Sequence, residues 1–157
     1  MPSGLDDLAQ RFLEAAISKE DWTHAAHLRV GAWYVHHHGA EAALQILREG
    51  IPRLNDRHGT PNTESSGYHE TITIAYVRLI ASFLETVREP ASLEARVALL
   101  LDGPLGERTV LFSYWSKETL LSPRARLGWV PPDRAPLALP AGVKASDARG
   151  TSPRRDV

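Results

Sequence analysis

Residues 68–88 read YHETITIAYVRLIASFLETVR, and this stretch decides the fold. Ile72, Tyr76, Leu79, Ile80, Phe83, Leu84 and Val87 recur at steps of three and four, which places them on one face of a helix. Ser65 or Ser66 stands where an N-cap is wanted, and Pro90 lies just beyond the end. The predicted helix runs from Tyr68 to Arg88.

Working outward, the same period recurs. Leu5, Leu8, Phe12, Leu13, Ala16 and Ile17 outline a first helix. Ser18 followed by Asp21 reads as an N-cap with an acidic partner, so a second helix is expected from about Lys19 to His38, ending at Gly39. Ala42, Ala43, Leu44, Ile46, Leu47, Ile51 and Leu54 mark a third from Ala40 to Arg57, which Pro52 should kink or interrupt. Residues 58–67 are dense in turn formers. After Pro90 come a shorter helix over Ala91–Leu101, an apolar segment over Thr109–Tyr114, and a last helical turn opened by Ser122-Pro123. No stretch alternates as a strand does. The expected class is all-α: one helical domain over residues 1–139, an antiparallel bundle of four main helices with short C-terminal additions. Five of the 11 prolines fall in the last 27 residues, and the stretch over 140–157 reads as a disordered tail.

Composition narrows the function classes. With 18 basic and 19 acidic residues the formal charge is −1, and no basic stripe precedes the tail, so nucleic acid is not an expected partner. The absence of cysteine excludes disulfides and thiolate ligands. No apolar stretch approaches the roughly 20 residues that span a bilayer, and the opening Met1-Pro-Ser-Gly-Leu-Asp-Asp, with no basic segment followed by an apolar one, gives no expectation of a secretory signal. A cytoplasmic protein is the expectation. The scarcity of lysine beside arginine and the abundance of alanine suggest a bacterial source.

Chemistry concentrates in histidine. His24 and His27 lie three residues apart, on one helical face, in a stripe with Glu20, Gly31 and His38. His69 extends the apolar stripe of the fourth helix towards its start. Polar side chains on inward stripes need partners, and a divalent ion satisfies several imidazoles at once. The expected ligands are His24, His27 and His69, with Glu70 or Glu20 as a fourth ligand or nearby base. Zinc, iron or nickel would suit such a set. Glu70 points about 100° away from His69, and a carboxylate at a helix start also complements the helix dipole. His36, His37 and His38 fan around a helix end and are expected to be solvated, as is His58 in its loop. Ser113-Tyr114-Trp115-Ser116 reads either as a pocket wall or as a core anchor, and Arg29 or Arg78 as an anion-steering group.

Taken together, Trp22-Thr-His-Ala-Ala-His-Leu-Arg29, Gly67-Tyr-His-Glu-Thr-Ile-Thr73 and Ser113-Tyr-Trp-Ser, with Leu121-Ser-Pro-Arg-Ala-Arg126 and Pro132-Asp133, resemble a family of small uncharacterised bacterial helical proteins. Those proteins carry a Thr-His-x-x-His-Leu helix and a Tyr-His-Glu-Thr helix, and the resemblance covers about Trp22 to Leu139. It implies that the two histidine motifs travel together. More loosely, the chain resembles the DinB-like helical-bundle metalloproteins, which build a three-histidine site from two helices. Three functions follow as expectations. The first is a metalloprotein acting on a small molecule, with Glu70 orienting a ligand or moving a proton. The second is a metal-free acid–base enzyme using His69, Glu70 and His24. The third is a non-enzymatic binding or regulatory module whose face includes Tyr114 and Trp115. A homodimer is compatible with each.

Overall fold

In the computed structural model, residues 4–143 are described. The helices are α1 (Gly4–Leu13), α2 (His24–His38), α3 (Ala40–His58), α4 (Glu70–Thr86), α5 (Leu93–Asp102), α6 (Lys117–Leu120) and α7 (Pro123–Leu127), with 3-10 turns at Pro104–Gly106 and Val110–Ser113. No strand occurs among the described residues. The protein is an all-α bundle.

α2 is the central rod. It packs against α1, α3, α4 and α5, and Ala26, Leu28, Val30, Gly31, Ala32, Tyr34 and Val35 bury most of its circumference. Burial on several sides is what a helix surrounded by others requires. The core continues through Phe12, Leu54, Leu79, Ile80 and Leu100. Gly50 of α3 is fixed by this packing, because a Cβ there would lie 2.4 Å from the ring of Phe12.

Helix starts differ from those expected. Ser18 does accept from the Asp21 N–H, but the turn it closes does not propagate. Thr23, with extended backbone, caps α2 by accepting from Ala26, so His24 is the first residue of the helix. α4 is capped by neither Ser65 nor Ser66: His69 does so, its ring nitrogen accepting from the Ile72 N–H. Ser122 caps α7, with Pro123 as its first residue, as expected. Pro52 sits inside an unbroken α3, and the Asn62 side chain donates to the Pro52 carbonyl.

The C-terminal segment folds back on the bundle. Trp115 is fully buried and donates to the Val130 carbonyl at 2.9 Å, while Tyr114 donates to the Ala138 carbonyl. Of the expected tail, residues 140–143 are described and Val143 touches the core; residues 144–157 lie outside the described residues. No helix among the described residues is long and apolar enough to cross a membrane.

Candidate functional site: an apolar cavity with a histidine rim

α2, α3 and α4 do not fill the space between them. They enclose a half-open cavity of about 420 Å³, within the roughly 300–1,000 Å³ range of small-molecule sites. Leu47 and Ile51 of α3, Ile72, Val77 and Ile80 of α4 and Leu28 of α2 form its apolar wall. Gly31 lets α2 approach α4, and a Cβ there would lie 3.1 Å from the end of Ile80. The polar residues that line it include His24, His27, Thr73, Tyr76 and Arg108, and the Arg108 charge acts on His24, His27 and Tyr76.

The two imidazoles are held differently. His27 stacks on Trp22 with centroids 3.8 Å apart, and its Nδ1 donates to the Thr23 carbonyl at 2.7 Å. That bond fixes the tautomer and leaves Nε2 as an acceptor. His24 meets Tyr76 edge to face at 5.6 Å, and its Nε2 is buried without a hydrogen-bond partner. Desolvation lowers the pKa of both rings, the Leu105 backbone opposing this at His24 and the Thr23 backbone at His27, while the Arg108 charge adds to the lowering at each. His27 keeps an edge exposed, so solvent there holds its shift short of what full burial would give. Burial pushes the Tyr76 phenol up to about 12, with Arg108 opposing. Arg108 is itself exposed, a cation lining a largely apolar space.

His69 and Glu70 do not line this cavity. Both nitrogens of His69 are engaged, Nδ1 by the Ile72 N–H and Nε2 with the Leu120 carbonyl at 2.8 Å. Burial lowers its pKa, Leu120 opposing and the Arg126 charge adding to it. Glu70 accepts from Arg48 Nε at 2.9 Å and from the Tyr68 hydroxyl at 2.7 Å. Thr71 donates to the Gly128 carbonyl and accepts from the Val130 N–H. The string Tyr68-His69-Glu70-Thr71 therefore clamps the start of α4 to α3 and to the C-terminal segment. Among the described residues no three of His, Cys, Asp and Glu are grouped as a metal site would require.

The remaining candidates are dispersed. Glu20 and Arg29 are exposed and outside the cavity, and Arg78 lies over the Trp129 ring at 4.4 Å. His58 is not a solvated loop residue, since it ends α3 and its Nε2 bonds the Ile17 carbonyl at 2.8 Å. His36, His37 and His38 are exposed as expected. Trp115 is a core anchor, which removes it from any contact face. Arg108, which supplies the cation, carries no sequence signal: it follows a 3-10 turn in a polar loop. Comparison of the chain with protein families, curated proteins and solved structures found no match.

Proposed function

We propose that the protein binds a small, mainly apolar organic acid in the cavity between α2, α3 and α4. The observation that carries this reading is the buried His24 Nε2, which has no partner in a cavity whose wall is largely Leu28, Leu47, Ile51, Ile72, Val77 and Ile80. A buried polar atom left unsatisfied is unfavourable, and a carboxylate oxygen at the rim would relieve it by accepting from Nε2–H, in the tautomer with the proton on that nitrogen. Tyr76 meets the His24 ring edge to face and feels the Arg108 charge, so a carboxylate there would meet one positive charge and a donor while its hydrocarbon part meets Leu47, Ile51 and Ile80. The test is a thermal-shift and calorimetric series of branched and aromatic carboxylic acids beside their amides. An acid present at 100 times its dissociation constant stabilises by about 2.7 kcal/mol. Acids are expected to bind about tenfold or more tightly than amides; equal affinity, or no stabilisation by any acid, would defeat the reading.

A divalent ion is the second reading, now resting on His24 and His27 alone. It is favoured by the Thr23 carbonyl, which orients the His27 ring as partners of metal-bound imidazoles do, and by the orphan nitrogen of His24. Ligand oxygens and water would complete the coordination of zinc, iron or nickel. Elemental analysis of protein purified without affinity resin tests it, with metal expected at one equivalent and lost in His27→Ala. Metal content unchanged in that variant would remove it.

A further inference from the structure

A second cavity, of about 490 Å³, lies where α2 ends and α3 begins, and His36, Gly39, Ala40, Glu85, Arg88 and Arg96 line it. Arg96 is 8% exposed, yet no carboxylate among the described residues forms an ion pair with it. Its contacts are two long bonds of 3.5 Å from Nη1 to the Leu84 and Val87 carbonyls, and its Nε has no partner at all. A buried guanidinium without a counter-charge is strongly unfavourable.

The start of α3, which also lines the cavity, has a matching deficit. α3 is 19 residues long and opens at Gly39, which has φ +86° and no side chain to cap it. Its first N–H groups lack intrahelical acceptors, and the positive end of the helix dipole is directed there. Glu41 is the acidic residue of that first turn but makes no capping bond. His36 adds a third basic group, close enough that the Arg96 charge lowers its pKa after burial and His37.

We propose that this cavity binds a phosphate group, taking donors from the Arg96 guanidinium and from the first N–H groups of α3. A tetrahedral oxyanion offers oxygens in several directions, so one group can accept from both sets of donors. Helix starts combined with arginine are a common way to hold phosphate. The ligand chemistry is the same for inorganic phosphate and for a phosphate monoester, and Glu85 at the rim would weaken either.

The experiment is a titration with inorganic phosphate at constant ionic strength, followed by amide and arginine side-chain NMR. Saturable shifts are expected at Ala40, Glu41 and the Arg96 Nε–H. Arg96→Lys should weaken binding about tenfold or more, because a point charge replaces a fork of donors. Glu85→Gln should strengthen it about two- to fivefold by removing a like charge. Glu85 is exposed, so this variant stays decisive if Arg96→Lys fails to fold. Phenyl phosphate in place of phosphate distinguishes the sources: tighter binding points to a monoester, equal binding to the free ion. Non-saturating shifts, shifts reproduced by chloride, or an affinity indifferent to Glu85→Gln would overturn the proposal.

Discussion

His69 and Leu120 are joined by a 2.8 Å bond between the imidazole Nε2 and the backbone carbonyl, and this bond ties the start of α4 to the end of α6. The same ring accepts from the Ile72 N–H through Nδ1. One neutral tautomer, with the proton on Nε2, satisfies both. Removing the ring costs a helix cap, about 1 kcal/mol, and leaves the Leu120 carbonyl unpaired, about 1–3 kcal/mol. His69→Ala is therefore expected to lower stability by about 2–4 kcal/mol, read as a fall in the urea midpoint with an unchanged slope. His69→Asn keeps the cap and should recover about 1 kcal/mol. Equal losses in both variants would mean that the cap contributes nothing.

Acid should loosen the same clamp. His69 has its pKa lowered from 6.5 by burial, and a proton added at Nδ1 would face the Ile72 N–H, donor against donor. A folded-state pKa below the unfolded value means that the unfolded chain takes up the proton first as pH falls. The contribution is full above the ordinary histidine range and is lost as pH drops through the lowered folded value. His24, His27 and His36 are shifted in the same direction. The melting temperature is thus expected to be level between about pH 7 and 8 and to fall below about pH 6.5. Part of that fall should vanish in His69→Asn. A melting temperature that rose on acidification would contradict the assignment.

Glu70 tests whether the clamp and the cavity are separate. Burial raises its pKa, but the bonds from Arg48 and Tyr68 outweigh this and hold it below the usual value. Replacing the carboxylate by an amide removes a charge-assisted pair whose side chains are 32% and 17% exposed, a loss of about 1–2 kcal/mol after allowance for solvent. Glu70→Gln is expected to lower stability by that amount and to leave acid binding in the cavity within about twofold. A large fall in ligand affinity with unchanged stability would return Glu70 to the binding site.

The contrast between the two histidine motifs shows what periodicity conveys. Steps of three and four place His24 and His27 on one face, and the structure keeps them together at one rim. They place His69 on a buried stripe too, where it is 7% exposed. What spacing cannot convey is whether a nitrogen has already been taken by nearby backbone. His69 lies just before the first turn of α4, where free N–H groups compete for it, and that local demand is met before any distant partner. Thr23 supplants Ser18 as the cap of α2 for a similarly local reason, since the two capping patterns differ little in sequence. Arg108 was illegible because a loop residue has no period. Trp115 was legible as an anchor, its ring area favouring the core and its N–H finding the Val130 carbonyl.

Gly31 and Gly50 separate filling the cavity from breaking the core. Both lie within helices, so alanine gains about 1 kcal/mol of helix propensity at either. At Gly50 the new Cβ would lie 2.4 Å from the Phe12 ring, and Phe12 is fully buried. Overpacking of that kind costs about 1–3 kcal/mol and outweighs the gain, so Gly50→Ala should be destabilised. At Gly31 the nearest atom is the terminal methyl of Ile80, 3.1 Å away, beside an open cavity into which that methyl can turn. Gly31→Ala should keep its stability within about 1 kcal/mol while occupying ligand space, so acid affinity should fall without loss of fold. Chemical denaturation and calorimetry on the two variants give the comparison. Undiminished affinity in a folded Gly31→Ala protein would mean that the acid does not enter between α2 and α4.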